Sequence, residues 1–137
     1  MTYLLDTNAC IALINGRPAQ VRARLERALA GGATIAVPVV VLFELWYGVA
    51  KSARREANAA RLDVFLAGPI DVLPFESDAA RAAGEIRAAL EVAGAPIGPY
   101  DLLIAGQALH RGMTLVTANG AEFSRVPTLA WQDWALP

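Results

Sequence analysis

The strongest constraint in this sequence is an alternation. Short apolar runs of strand length take turns along the chain with longer stretches whose apolar residues recur every three or four positions. The short runs are Tyr3-Leu4-Leu5, Thr34-Ile35-Ala36-Val37, Val72-Leu73, Thr114-Leu115-Val116-Thr117 and one around Leu129-Ala130-Trp131. None shows a polar face, and a strand without a polar face must be covered on both sides. Consecutive covered strands separated by helices require a mostly parallel sheet between two helical layers, a three-layer α/β/α domain.

The punctuation agrees. Asp6-Thr7-Asn8 follows the first strand and can cap a helix there. Pro18 suits the start of a second helix with Val21, Leu25, Ala28 and Leu29 on one face, ended by Gly31-Gly32. Pro38 suits the first position of a third, running through Glu44 to Gly48, and Arg54 to Leu66 reads as a fourth. Ser77 is a plausible cap for a helix with the stripe Ala79, Ala82, Ala83, Ile86, Ala89 and Leu90, ended by Gly94. A further helix begins near Tyr100-Asp101 and ends at Gly112, and Asn119-Gly120 reads as a turn. With no repeat, linker or low-complexity segment, residues 1–137 read as one domain, long enough to bury roughly two-thirds of its unfolded surface.

Several function classes are excluded early. The richest apolar run, Val37 to Val49, is interrupted by Glu44 and too short to span a membrane. The N-terminus lacks the pattern of a signal peptide, so a cytoplasmic protein is expected. The net charge of −1 means that any nucleic-acid binding must come from local patches, with Arg17, Arg22, Arg24, Arg27, Arg54, Arg55 and Arg61 as candidates. The single cysteine, Cys10, sits among apolar neighbours and reads as a core filler. The single histidine, His110, reads as a helix-terminus residue. There is no Ser/His/Asp triad and no glycine-rich phosphate loop.

In a parallel sheet, ligands bind beyond the carboxyl ends of the strands, so acids just after a strand are the ones to weigh. Asp6 stands there, and capping explains it equally well. Glu44 is the only charge between Pro38 and Ala50, flanked by Leu42, Phe43, Leu45 and Trp46. If buried, it needs a cation, an arginine or a route to solvent. Asp101 opens a helix after Gly98-Pro99-Tyr100, again where a cap would do. Together the three acids could converge on one pocket, and oxygen donors without histidine or thiolate suit Mg²⁺ or Mn²⁺ and disfavour zinc.

The motifs Leu4-Leu5-Asp6-Thr7-Asn8, Phe43-Glu44-Leu45-Trp46-Tyr47-Gly48, Ile97 to Ala105 and Leu115 to Phe123 resemble, in order, those of VapC-type PIN-domain toxins. The resemblance spans the chain, including Phe123-Ser124-Arg125-Val126-Pro127 and Trp131-Gln132-Asp133-Trp134 near its end. It implies a PIN-like fold and a metal-dependent endoribonuclease that leaves a 3′-hydroxyl and a 5′-phosphate, the toxin of a type II toxin–antitoxin pair. It also implies that Asp6, Glu44 and Asp101 hold Mg²⁺ or Mn²⁺ and are catalytic, with Thr7, Asn8, Thr117 and Asn119 in support. A homodimer, an RNA substrate and a VapB-type antitoxin that blocks the site, often with a basic side chain, are the implied partners.

One departure stands out. Many PIN nucleases carry a fourth aspartate where Asn119 stands, which removes one negative charge and leaves room for a catalytically weakened module that binds RNA or antitoxin. Glu122 could compensate, although it reads first as a surface carboxylate. Trp46 and Tyr47 on the Glu44 helix fit an interface or a core. Two other α/β classes fit poorly: a phosphoacceptor receiver would pair adjacent acids with a lysine after a late strand, whereas Lys51 is the only lysine, and a dehalogenase-like phosphatase would want aspartate at Asn8.

Overall fold

The computed structural model describes residues 1–137. In chain order the elements are β1 (Thr2–Leu5), α1 (Thr7–Asn15), α2 (Ala19–Ala30), β2 (Thr34–Pro38), α3 (Val39–Lys51), α4 (Arg55–Leu66), β3 (Asp71–Leu73), α5 (Ser77–Val92), α6 (Pro99–Arg111), β4 (Thr114–Val116), α7 (Gly120–Phe123) and β5 (Trp131–Gln132). The five strands form one sheet in the order β3-β2-β1-β4-β5, and every pairing is parallel. No helix is long and apolar enough to cross a membrane.

Burial explains the layering. Leu4 and Leu5 in β1 are both fully buried, as are Ile35, Ala36 and Val37 in β2 and Leu115 and Val116 in β4. Successive strand residues point to opposite faces, so burial of neighbours means that helices cover both. On α5, Ala79, Ala83, Ile86 and Leu90 face inward while Ala82 and Ala89 lie outside the fully buried set. The close packing of α5 on α6 depends on Gly106, where a Cβ would come within 2.7 Å of both the Ala83 Cβ and the Ala83 backbone nitrogen.

Four local expectations shift. Pro38 is the last residue of β2 and the N-cap of α3, not its first helical residue, because its extended ψ of 146° continues the strand. Ser77 is the first residue of α5, capped by Glu76 without a side-chain bond. Asn119-Gly120 is no simple turn: Asn119 caps the short helix α7, tightened by Phe123 and Glu122 amides bonding back to the Asn119 carbonyl. The last strand is Trp131–Gln132, because Thr117 N–H and Leu115 N–H bond to the carbonyls of Gln132 and Ala130.

The topology also fixes where a site can form. From β1 the chain steps outward to β2 and β3, then returns to lay β4 on the other side of β1. This is a switch point, and it opens a crevice at the carboxyl ends of β1 and β4. Leu5 pairs with Val116, so Asp6 and Thr117 are the first residues beyond the paired ends.

Candidate active site

Asp6 leaves β1 with its amide still bonded to the Val116 carbonyl, and its Oδ1 accepts from Ala9 N–H at 2.8 Å. The capping role is therefore real, and it aligns the side chain at the switch point. Asp6 is 5% exposed. Burial raises its pKa, and the charges of Glu44 and Asp133 push the same way, against the Thr117 hydroxyl and the Ala9 amide that favour the ionised form. A cap placed on solvent would feel neither burial nor two further acids.

Glu44 is only half-buried, because α3 exposes Phe43, Trp46 and Tyr47 around it. Of the alternatives the sequence left for Glu44, the route to solvent is realised: much of the apolar face around it is open, so desolvation is not what singles Glu44 out. Its Oε1 accepts from the Thr7 hydroxyl at 2.9 Å, which ties α3 to the residue after Asp6. No arginine pairs with it.

Asp101 lies in the first turn of α6, whose cap is Gly98. Its pKa is pushed up to about 7, chiefly by burial and then by the carboxylates of Glu122, Asp6 and Glu44. Four acids from four segments thus sense one another. Burial works to raise the pKa of Glu122, but the Gly98 amide, the Asn119 side chain, Asp101 and the charge of Arg125 outweigh it and lower it.

Glu122 is the residue that sequence reasoning set aside. It is not a free surface carboxylate: it accepts from Gly98 N–H at 2.6 Å and from Asn119 Nδ2 at 2.5 Å. The clue available in the sequence was its place one helical turn after Asn119, where an acid and an amide meet only if the segment is helical. Asn119 orients Glu122 with its amide nitrogen, while its backbone N–H donates to Thr117 Oγ1 at 2.9 Å. Thr117 is 1% exposed and links Asp6 to this loop. Asn8 is exposed and makes no hydrogen bond to the acids.

No three of the chain's acidic, histidine or cysteine side chains stand close enough together to hold a metal ion between them as the structure stands. The donor chemistry nevertheless suits a hard divalent ion, since all the donors are oxygens and no basic side chain is ion-paired with Asp6, Glu44 or Asp101. Mg²⁺ in particular keeps several waters and takes one or two carboxylates along with substrate oxygens. The raised pKa of Asp101 reflects burial first and the neighbouring carboxylates second.

The basic residues divide. Arg22 and Arg61 donate to the Leu13 and Ile14 carbonyls at the end of α1, and Arg24 to Gln132, so these hold helices together. Arg17, Arg27, Arg54 and Arg55 are exposed and their side chains make no hydrogen bond. Cys10 is fully buried and its pKa is raised by burial, as a core thiol's should be.

The PIN domain model matches residues 3–129. The chain belongs to the PIN domain family. Within it, the chain is 43% identical over 134 residues to ribonuclease VapC2 of Rickettsia felis, covering 98% of each protein. It is 42% identical over 135 residues to a tRNA(fMet)-specific endonuclease VapC of Shigella flexneri, covering 98% of this chain and 99% of that one. The structure of VapBC2 from Rickettsia felis bound to a promoter DNA fragment contains a chain that superposes with a TM-score of 0.91 at 42% identity, covering 98% of this chain and 99% of that one. VapBC-1 of Haemophilus influenzae superposes at 0.88 with 32% identity, covering 99% and 100%. This PIN domain is a ribonuclease of the VapC type, and PIN nucleases depend on divalent metal.

Proposed function

We propose that this chain is the toxin of a type II toxin–antitoxin pair and cuts RNA endonucleolytically with Mg²⁺ or Mn²⁺ held by Asp6, Glu44 and Asp101. The observation that carries the reading is that Asp6, Glu44 and Asp101 lie near enough at the switch point of a parallel sheet for their charges to interact, with no basic side chain ion-paired to any of the three. When bound, the ion supplies Lewis acidity for a water nucleophile and positive charge against the phosphate.

The chain's own residues do the positioning. Ala9 N–H and the Thr117 hydroxyl fix Asp6, and the Thr7 hydroxyl fixes Glu44. Glu122 ties the loop before α6 to α7, which sets Asp101 against the other two acids. In the metal-free protein burial and the neighbouring carboxylates raise the pKa of Asp101 to about 7, and a bound cation would favour its ionised form. In the reaction, water adds to phosphorus, the bond to O3′ breaks and O3′ takes up a proton, leaving a 3′-hydroxyl and a 5′-phosphate.

Glu122 supplies the acid that Asn119 lacks, and this favours an active nuclease over the weakened binding module. The naming of the Shigella relative for tRNA(fMet) makes that RNA the first substrate to try. Such a substrate implies a cytoplasmic address. The VapBC complexes among the structural neighbours support a VapB-type antitoxin as partner. The exposed face of α3, with Phe43 55%, Tyr47 58% and Trp46 37% exposed, supports a homodimer, and Phe43 extends this face through an edge-to-face contact with Tyr100 at 5.7 Å.

Calorimetric titration of Mn²⁺ into purified protein tests the site. Wild type binds, and Asp6→Asn and Asp101→Asn each lose tenfold or more in affinity. Equal affinity in all three would place the metal elsewhere.

A further inference from the structure

Beside the acid cluster lies a concavity of about 250 Å³, lined by α1, the segment around Arg17 and Pro18, and the residues just beyond β4 and β5. Thr117, the residue bonded to Asp6, forms part of its wall, so the two sites are continuous. Its surface is mostly apolar, with Ile11, Ala12 and Val21 prominent. The Trp134 indole N–H in its lining is already given to Gln132 Oε1 at 3.0 Å, so it has no donor to spare.

Besides Thr117, three polar side chains interrupt the apolar lining: Asn8, Arg17 and Asp133. Asp133 Oδ1 accepts from Ala135 N–H at 2.9 Å, which orients the carboxylate, and no cation pairs with it. Asp133 is close enough to Asp6 for their charges to interact. Arg17 is exposed, and its guanidinium has no hydrogen-bond or ion-pair partner.

We infer that this concavity receives a single nucleobase of the RNA strand whose phosphate lies on the acids, an inference that rests on the ribonuclease reading. Apolar walls suit an unstacked base, and single-stranded bases turned outward are what proteins read in RNA. The volume admits one base and no more of the strand. A carboxylate acceptor held by its other oxygen selects a base that presents an amino group, as acidic side chains do with cytosine. Uracil, whose one Watson–Crick-edge donor, N3–H, lies between two carbonyl oxygens that repel a carboxylate, is the base this pocket disfavours. Arg17 at the rim meets the backbone phosphate next to that base. The pocket is therefore a specificity site, and Asp133 is its reading residue.

The experiment uses short single-stranded RNAs randomised around one position, incubated with full-length protein and Mn²⁺, and both fragment ends are sequenced. Binding of the same pool in chelator is read in parallel by fluorescence anisotropy. Wild type should show uracil depleted about tenfold at a single position next to the cut. Asp133→Asn, which keeps an oxygen for Ala135 N–H but turns the other acceptor into a donor, should abolish that depletion and leave the other positions unchanged. Ala12→Leu, which fills the concavity, should flatten preference at the same position and weaken binding in chelator.

A wild-type profile flat at every position would overturn the inference while leaving the nuclease intact. So would an Asp133→Asn variant that slows cutting of all sequences equally, because that is the signature of a changed field at Asp6. Retained base preference with weakened capture of the co-expressed partner chain would assign the pocket to that protein instead. Wild-type protein that neither cuts nor binds any RNA would remove the ribonuclease reading, and this inference with it.

Discussion

Asp101→Asn should make the metal-free protein more stable at alkaline pH and leave it almost unchanged in acid. A carboxyl whose pKa rises on folding keeps its proton in the folded state over a range where the unfolded chain has released it. For Asp101 that range runs from 3.8 to about 7, so its contribution to stability falls as pH rises through the window and stays low above it. At about 1.36 kcal/mol per pH unit, the full span corresponds to roughly 4 kcal/mol. The residue is half-exposed, solvent screens it, Glu122 shifts in the opposite direction, and the lost charge at the start of α6 removes a favourable dipole interaction. These reduce the expected gain to about 1 to 2 kcal/mol, or roughly 3 to 8 °C in Tm. The assay is thermal unfolding in chelator at pH 4.5 and pH 8. The variant should match wild type at the lower pH and exceed it at the higher, and Mn²⁺ should reverse the order at pH 8. A variant that is less stable at both, or shifted equally at both, would refute the clustering of uncompensated carboxylates.

Thr7→Val removes the hydroxyl donor to Glu44 and should lower kcat about tenfold with Tm changed by less than about 3 °C, since one part-buried hydrogen bond contributes about 1 kcal/mol. Asn119→Asp replaces the amide donor 2.5 Å from Glu122 with a like charge, and should destabilise the metal-free protein by about 1 to 2 kcal/mol while raising Mn²⁺ affinity in calorimetry. Gly120→Ala drives a Cβ into the Trp131 indole and should cost about 1 to 3 kcal/mol in urea unfolding, with loss of the α7–β5 packing. Phe43→Arg on the open face of α3 should shift the protein toward monomer in light scattering without lowering Tm.

The architecture was legible because its strands are buried on both faces. Neighbours such as Leu4 and Leu5 carry no polar alternation, and only a covered parallel sheet accommodates that. Asp6 and Asp101 were legible by position, each at the start of a helix that points at the sheet's carboxyl edge. Glu44 draws notice as the one charge in an apolar run, and the sequence leaves open whether that run is buried. The structure turns Phe43 and Tyr47 of α3 outward, and apolar composition alone cannot separate a core helix from one that carries an interface. Glu122 reads in the sequence as a possible compensation for Asn119 but first as a surface carboxylate, because its bonding depends on α7, a helix of four residues that leaves no periodic signal. Its partners Gly98 and Asn119 come from different parts of the chain, and the meeting of Glu122 with Gly98 is a product of tertiary packing. The arginines show the same limit: Arg22 and Arg17 look alike in sequence, yet one is bonded to a helix end and the other has no partner.

The central claim is that Asp6, Glu44 and Asp101 form a metal-dependent RNA-cutting site, and the most direct test is cleavage by antitoxin-free protein. Total cellular RNA and tRNA(fMet) would be incubated with Mg²⁺, Mn²⁺ or chelator, alongside Asp6→Asn, and new 5′ ends mapped. The account predicts discrete cuts bearing 5′-phosphates with either ion, none in chelator, and none with the folded variant. Cuts that persist in chelator or in Asp6→Asn would contradict it, as would folded wild-type protein that leaves every RNA intact with both metals.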